Sequence, residues 1–449
     1  MYERRKLLSL FEAKGDELEK KIKDGIEKYR KGDLTIRVAD ASGKPLVGAT
    51  VKVMQKTHAF RFGANLFMLD ELETPEKNET YKKHFASVFN MATLPFYWDA
   101  LEPTEGKPRY AKDSERVYRR PAPDLCIEFC EKHGIEPREH ALAYENFFPK
   151  WLYGADIPTT KAALEKRFAE IAARYAAKIP TIEVTNEMLW EKGRTPFYDD
   201  ADYVAWCFKT AEKYFPHNTL GINDATDMAW GMRPKPSSAY YAYIEAAMLK
   251  GARIDAIGMQ FHMFVPREKE YEETRPYYDP DKLYAHMDLF ARFGKPLQVT
   301  EITIPSYSWE AEDEILQADI LEYLYSIWFS HPAIEQIVYW NLIDGYCHVW
   351  DPDPAVIAAS QGNMAQGENV YYGGLLRFDM TRKPAYDRLD ELINRRWHTE
   401  ETLTADARGC ASLRGFYGDY TVEVTRDGKT VTKEITLAKT GDNEITLSL

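Results

Sequence analysis

The stretch KAALEKRFAEIAARYAAKIPTIEVTNE, residues 161–187, decides the fold class because it joins two different hydrophobic periods. Its first part, 161–178, has the spacing of an amphipathic helix. Its second part, 180–187, is a short and mostly apolar run that ends in Asn186 and Glu187, which is typical of a buried strand. A helix followed closely by a buried strand is the repeating unit of proteins built on a parallel sheet.

The same alternation continues along most of the chain. Further helical patterns occur at 236–250, 279–293 and 311–329. Strands are expected at 60–67, 86–93, 135–143, 180–187, 218–224, 254–262, 295–302 and 334–341. Eight strands that alternate with helices predict an α/β fold, a closed (β/α)8 TIM barrel, over residues 59–398.

The two ends of the chain depart from this pattern. Residues 1–32 carry apolar side chains at helical spacing on a charged background, which predicts an amphipathic helix. Residues 33–58 and 399–449 alternate in polarity around turns such as Asp427-Gly428, which predicts short strands. Since two or three strands alone are marginally stable, we expect both sets to pair into one small β-sandwich-like appendage.

Charge and composition limit the partners. The 449 residues carry a net charge of -13 and a pI near 5.4. Nucleic acid and anionic membranes would repel this surface, so neither is expected as a partner. The first 32 residues contain one short apolar run, Leu7 to Phe11, which predicts no signal peptide and no membrane span. The compartment stays open between the cytoplasm and secretion after removal of a signal.

The five cysteines do not have the spacing of a disulfide framework. Cys126 and Cys130 stand four apart, but no second pair of Cys or His completes a zinc site. Asp351 and Asp353 are too few for a calcium loop. We therefore expect no metal site.

Polar residues end several of the expected strands, which is where a barrel of this type carries its active site. These strand-end residues are His140, Asn186, Glu187, Asn223, Asp224, Gln260, His262, Glu301, Trp340 and Asn341. Glu187 and Glu301 stand out because hydrolysis of an acetal needs two carboxyl groups. One donates a proton and needs a raised pKa, while the other stays ionised and attacks the anomeric carbon.

Each of these residues also has a simpler interpretation. Either glutamate alone is as consistent with an ordinary strand-end charge paired with Lys or Arg, and two at strand ends favour catalysis. His140 and His262 could be core histidines with satisfied hydrogen bonds, although their place beside the carboxylates favours the site. Trp340 and Trp350 could be core residues, or could stack on a sugar ring. Asn186 is suited to bind the sugar 2-hydroxyl.

Taken together, these residues resemble glycoside hydrolase family 10, the xylanase family of the Glu/Glu barrel clan. The motifs that carry the resemblance are YWDALEP at 97–103, REHAL at 138–142, VTNE at 184–187, ND at 223–224, GMQFH at 258–262, VTEI at 299–302, WNLID at 340–344 and KPAY at 383–386. The resemblance implies that Glu187 is the acid/base, that Glu301 is the nucleophile and that anomeric configuration is retained. It also implies that the sugar in subsite -1 is surrounded by His140, Asn186, Gln260, His262, Trp340 and Trp350.

The chain departs from the family at positions that hold the next sugar. Thr93, Leu94 and Tyr97 replace a Glu-Asn pair and a Lys before Trp98. The family's Trp-His-x-Gln after His140 is replaced by Tyr144, Glu145, Asn146 and Phe147. The family's Asp two residues after the nucleophile is Thr303 here. We expect Tyr97 and Tyr144 to line a rebuilt, more aromatic cleft.

The expected function is therefore retaining hydrolysis of β-1,4-xylosidic bonds in xylan or xylo-oligosaccharides. Two alternatives stay open: a retaining β-glycosidase for short, decorated or non-xylan β-glycosides, and a catalytically weakened carbohydrate-binding barrel. An oligosaccharide or polysaccharide is the expected partner. No cofactor is expected, since an acid/base and a nucleophile suffice. The oligomeric state is left open.

Overall fold

A closed barrel of eight parallel strands dominates the computed structural model, which describes residues 3–189, 193–231, 233–351 and 353–449. The barrel consists of β3 to β10, which follow one another in chain order, and β10 closes it by pairing with β3. The strands are β1 Lys31–Ala39, β2 Thr50–His58, β3 Arg61–Asn65, β4 Met91–Pro95, β5 Glu136–His140, β6 Thr181–Asn186, β7 Thr219–Asn223, β8 Ala256–His262, β9 Leu297–Thr303, β10 Ile334–Tyr339, β11 Glu400–Thr404, β12 Cys410–Phe416, β13 Gly418–Arg426, β14 Lys429–Leu437 and β15 Glu444–Ser448. The predicted (β/α)8 barrel is confirmed.

Helices lie between the barrel strands. They are α1 Ser9–Glu12, α2 Gly15–Tyr29, α3 Pro75–Val88, α4 Trp98–Leu101, α5 Pro123–His133, α6 Ile157–Tyr175, α7 Tyr203–Tyr214, α8 Ala239–Leu249, α9 Glu270–Thr274, α10 Pro280–Ala291, α11 Ala311–Ser330, α12 Pro354–Ser360 and α13 Pro384–Glu391. Within the described ranges, no helix has the length and apolarity needed to cross a membrane. The five cysteines are free and buried.

The stretch that decides the fold shows how one unit forms. Asp156 caps α6 by accepting a hydrogen bond from the backbone N–H of Thr159 at 2.9 Å, and Pro158 occupies the first turn. The apolar face of α6 is buried at every third or fourth residue, and all six residues of β6 are buried because a parallel barrel strand is covered on both faces. The buried apolar positions of α6 are Leu164, Phe168, Ile171 and Tyr175.

One strand prediction, 86–93, was wrong at its start. Helix α3 continues to Val88, because its buried face runs through Tyr81, Phe85 and Val88 at helical spacing, and the strand begins only at Met91. The end of a buried helix and the start of a buried strand are both apolar here. A run of apolar residues without a clear break therefore hid the boundary.

The N-terminal segment is also more broken than the single helix predicted for residues 1–32. It forms a 3-10 helix over Glu3–Leu8, then α1 and α2, and the chain enters strand β1 at Lys31. Residues 1 and 2 lie outside the described ranges. Gly15, with φ of 40°, has a left-handed backbone where α1 gives way to α2. Leu7, Leu8 and Phe11 are buried against the barrel core.

Strands from both chain ends form two small sheets. One sheet has the order β12-β1-β15 and the other β11-β2-β13-β14, so β1 and β2 pair exclusively with strands of the C-terminal segment. Their inward faces form one apolar core separate from that of the barrel. Its buried residues include Leu34, Ile36, Val38, Val51, Val53, Tyr420, Val422, Val424 and Leu437. The expected sandwich-like appendage is present.

Burial in this small core predicts the effect of a matched pair of substitutions. Val53 is 0 % exposed, whereas Val47 is 50 % exposed. Val53→Ala should lower the free energy of unfolding of the sandwich by about 2 kcal/mol, because two buried methyl groups are lost and a cavity is left. Val47→Ala should change it by less than about 0.5 kcal/mol. Urea unfolding followed by circular dichroism measures both, and equal losses would contradict the assigned core.

Candidate active site

Nine of the ten predicted site residues meet at the carboxyl-terminal end of the barrel. Each lies at the end of a barrel strand or in the segment that follows, so closure of the barrel directs them into one cleft. The nine residues are Tyr97, His140, Tyr144, Asn186, Glu187, Gln260, His262, Glu301 and Trp340.

The tenth residue, Trp350, lies apart from this cluster. Its side chain is 65 % exposed, and it makes no aromatic contact with the other nine residues, all of which are described. Its expected place around the sugar stays a prediction.

The carboxyl groups of Glu187 and Glu301 share one amide. Gln260 Nε2 lies 3.0 Å from Glu187 Oε1 and 3.2 Å from Glu301 Oε1. The two oxygens are therefore separated by at most the sum of these distances, 6.2 Å. Two carboxyl groups at this range raise each other's cost of ionisation.

Glu301 is buried among donors. Its Oε1 accepts from Asn223 Nδ2 at 2.9 Å, and its Oε2 lies 3.1 Å from His262 Nε2. Thr300 holds the amide of Asn223 in this orientation by donating to Asn223 Oδ1 at 2.7 Å. With Gln260, three donors surround the carboxyl group, which favours its ionised form.

Glu187 has a different environment. Burial first, and then the charge of Glu301, raise the pKa of Glu187 above its ordinary value, while hydrogen bonds donated by the Tyr144 hydroxyl and Gln260 oppose this rise. Its backbone has a φ of 54°, in the left-handed region that a non-glycine residue rarely adopts. A carboxyl group with a raised pKa beside an ionised one is the arrangement of an acid and a nucleophile.

A buried relay supports the floor of the cleft. Glu183, in the middle of β6, binds the guanidinium of Arg138 and lies 2.8 Å from His140 Nδ1. Burial opposes the charged forms, but the carboxylate of Glu183 outweighs it and raises the pKa of His140, while Arg138 and His140 together hold the pKa of Glu183 below its ordinary value. Sequence reasoning missed Glu183. The available signal was an Arg and a Glu on neighbouring strands that are otherwise apolar.

One cluster has the composition of a cation site. Ligand atoms of His140, Glu183 and Glu301 lie within 4.8 Å of one another, and all three residues are buried. The nitrogen that faces Glu183 is already at hydrogen-bond distance from it, and Arg138 supplies Glu183 with a positive charge. The cluster is fully accounted for as a hydrogen-bonded network.

Aromatic rings line one side of the cleft. The Tyr97 hydroxyl lies 3.0 Å from His140 Nε2, and the Trp340 ring meets His140 and His262 edge-on at centroid distances of 5.4 and 5.8 Å. Phe147 packs against Tyr97 at 4.5 Å. The positions that depart from the resembled family are thus close to the two carboxyl groups.

Asn186 has a free donor at this site. Its Oδ1 accepts from Asn223 at 3.0 Å and from Gln260 at 3.3 Å, whereas its Nδ2 is buried without a partner among the described residues. A buried amide N–H group without a partner is costly unless a ligand supplies the acceptor. Asn186 is therefore ready to donate to a hydroxyl group in the cleft.

Thr303 takes the position beside His262. Strands β8 and β9 pair these two residues directly, and Thr303 Oγ1 lies 2.9 Å from His262 Nδ1. A hydroxyl group can donate to Nδ1, unlike a carboxylate. This leaves the proton of a neutral imidazole on Nε2, where it donates to Glu301.

A closed (β/α)8 barrel with a buried pair of carboxyl groups at its mouth defines the class of this protein. The sequence model of Glycosyl hydrolase family 10 matches residues 51–388, about three quarters of the chain. The chain therefore belongs to glycosyl hydrolase family 10.

Curated relatives are similar over most of this chain. Endo-1,4-beta-xylanase 2 of Arabidopsis thaliana is 26% identical over 90% of the chain, and anti-sigma-I factor RsgI6 of Acetivibrio thermocellus is 25% identical over 90%. The match covers 33% of the first protein and 46% of the second. The chain thus spans less than half the length of these two relatives.

Solved structures share the fold. Native xylanase 10B from Thermotoga maritima superposes with a TM-score of 0.57 at 20% identity, over 75% of this chain and 96% of that one. Xylanase 10B from Thermotoga petrophila RKU-1, solved with xylobiose, gives a TM-score of 0.57 at 19% identity, over 76% and 99%.

Asp224, at the end of β7, predicts a pH effect on stability. Burial raises its pKa to about 8, with the charge of Glu187 adding to the rise and the backbone N–H of Ala225 opposing it. The folded protein therefore binds a proton that the unfolded chain loses above pH about 4, and stability falls as the pH rises from about 4 to about 8. Asp224→Asn should remove this loss, which is at most about 1.4 kcal/mol per pH unit.

Chemical unfolding at pH 5 and pH 8 measures this effect. The stability of Asp224→Asn relative to the unmodified protein should rise between the two pH values. Asp199→Asn, at an exposed position, serves as the control and should show no such rise. A parallel response of the two variants would contradict the raised pKa.

Proposed function

We propose that this protein is a retaining glycoside hydrolase that cleaves β-1,4-xylosidic bonds in xylan or xylo-oligosaccharides. The observation that carries the proposal is the separation of at most 6.2 Å between Glu187 Oε1 and Glu301 Oε1. Retaining enzymes hold their carboxyl groups about 5 to 5.5 Å apart, whereas inverting enzymes leave about 6.5 to 9.5 Å for a water molecule. The separation here fits direct attack by one carboxylate.

The two glutamates divide the chemistry. Glu301, ionised among its donors, attacks the anomeric carbon while Glu187 gives its proton to the departing glycosidic oxygen, so the C–O bond breaks and a glycosyl ester forms on Glu301. Glu187, now ionised, takes a proton from water. That water attacks the anomeric carbon, the ester bond breaks, and Glu301 returns to its ionised form with configuration retained.

The remaining residues hold the sugar. The free Nδ2 of Asn186 is the donor for the 2-hydroxyl, an interaction that strengthens in an oxocarbenium-like transition state. His140, Gln260 and His262 provide further polar contacts, while Trp340 and Tyr97 supply apolar surface for a ring face. No nucleic acid or membrane takes part in this proposal, and it needs no metal or cofactor.

The xylosidic substrate is supported by the family and by the names of the relatives, since several are called endo-1,4-beta-xylanases. The aromatic residues Tyr97, Tyr144 and Phe147 at the cleft favour a second candidate, a retaining β-glycosidase for short or decorated oligosaccharides. A product time course on xylohexaose separates them. Internal cleavage yields products of intermediate size at once, whereas trimming releases one small product first.

Glu301→Gln tests the central assignment. Removing the nucleophilic charge should abolish hydrolysis of aryl β-xyloside and of xylo-oligosaccharides, since no glycosyl ester can form. Glu310→Gln, the same change at an exposed position nine residues later, is the matched control and should retain activity. Turnover by Glu301→Gln at the rate of the control would disprove the assignment. Proton NMR of the first-formed anomer tests retention independently.

Tyr144→Phe tests the role of Glu187 through pH. The Tyr144 hydroxyl stabilises the ionised form of Glu187, so its loss should raise the pKa of Glu187 further. An acid works only while protonated, and activity is lost as the pH rises through its pKa. The basic limb of the pH profile of kcat/KM should therefore move to higher pH in Tyr144→Phe. A shift to lower pH, or an unmoved limb, would argue against Glu187 as the acid.

A further inference from the structure

Two adjacent arginines lie in the wall of the cleft. Arg119 and Arg120 belong to the segment between α4 and α5, which follows barrel strand β4 on the same face as the two carboxyl groups. Arg119 is 3 % exposed and Arg120 is 8 % exposed. Burying two neighbouring guanidinium groups is costly unless each finds hydrogen-bond acceptors and opposite charge.

Arg120 finds few of these. Its guanidinium lies 3.6 Å from the centroid of the Tyr97 ring, and Nη1 donates to the carbonyl of Arg119 at 3.0 Å. Within the described ranges, its Nε and Nη2 donate to no acceptor. Arg119 gives Nη2 to Asn341 Oδ1 at 3.0 Å and Nη1 to the carbonyl of Tyr346, while its buried Nε has no partner among the described residues.

Neither arginine has a carboxylate within 4.0 Å among the described residues. Asp99 and Glu368 act on Arg120 from a greater distance. Arg109 offers a comparison, because it is also 8 % exposed and without an ion pair in the described structure. Its guanidinium donates to the carbonyls of Ala100, Glu115 and Arg120, as a purely structural buried arginine does. Arg120 keeps the donors that Arg109 has used.

The position of Arg120 relates it to the substrate. Tyr97, on which it stacks, reaches His140 Nε2 at 3.0 Å, and His140 Nδ1 lies 4.0 Å from Glu301 Oε1. Arg120 is therefore separated from Glu301 by two rings in contact, so it faces a sugar next to the one at Glu301. A guanidinium with free N–H groups is the protein group best matched to a carboxylate, which it binds through two parallel hydrogen bonds.

We propose that Arg120, supported by Arg119, binds the carboxylate of a uronic acid carried by the substrate next to the bond that is cleaved. This inference rests on the proposed function, because it names the class of substrate that the same cleft accepts. A local acceptor is needed, since the net charge of -13 works against an acidic ligand elsewhere on the surface. The carboxylate supplies both the acceptors and the charge that Arg120 lacks.

The test compares two substrates on the full chain. One is a linear β-1,4-xylo-oligosaccharide, and the other is the same chain with a single glucuronic acid substituent. The quantity measured is the ratio of kcat/KM for the acidic substrate to that for the neutral one. Arg120→Gln should lower this ratio about tenfold or more, mainly through KM, because a charge-assisted pair of hydrogen bonds is lost. Arg120→Lys keeps the charge without the fork and should give an intermediate ratio.

Arg109→Gln is the matched control. It removes an equally buried guanidinium that has a structural role, so it should leave the ratio unchanged even if it lowers the thermal midpoint. An unchanged ratio in Arg120→Gln, or an equal fall in Arg109→Gln, would overturn the inference.

Calorimetric binding to Glu301→Gln separates this inference from the proposed function. Tighter binding of the acidic oligosaccharide, lost in the double variant with Arg120→Gln, supports the carboxylate site even if the protein hydrolyses neither substrate. Equal binding of the two oligosaccharides would overturn the site even if both are hydrolysed.

Discussion

The carboxyl groups of Glu187 and Glu301 are like charges in a largely buried cleft, and Gln260 is the group that binds both. One amide reaches two carboxyl oxygens only if three strands, β6, β8 and β9, end at fixed positions relative to one another. Closure of the barrel provides this, because each strand is held on both sides by its neighbours. A register slip of one residue would turn Gln260 or Glu301 to the opposite face of its strand. The chemistry of the cleft therefore depends on the register of the sheet.

Much of this arrangement could be predicted from the sequence, since an apolar run that ends in a polar residue marks both a strand and its functional end. Glu187, Glu301, Gln260 and His262 were found in this way. The links between distant motifs could not. Asp344 of WNLID and Lys383 of KPAY form a fully buried ion pair at 3.0 Å, a contact that no spacing in the sequence indicates. The boundary between α3 and β4 was missed because both sides of it are buried and apolar.

Tyr97 connects the altered part of the cleft to the conserved chemistry of the proposal. Its hydroxyl reaches His140 and its ring carries Arg120, so a single side chain contacts both the relay under Glu301 and the wall of the cleft. A change of substrate preference at this wall thus has a short physical route to the reacting groups. The route consists of direct contacts and needs no movement of the barrel.

The pairing of β1 and β2 has a consequence for synthesis of the chain. Both strands emerge from the ribosome early, yet every strand they pair with lies beyond residue 399. At about 5 to 20 residues per second, the delay is on the order of tens of seconds, during which their edges have no partner. The barrel, whose strands pair in chain order, has its full sequence available first. The sandwich therefore closes last, and a nascent chain that stalls after the barrel exposes two unpaired strands as an aggregation site.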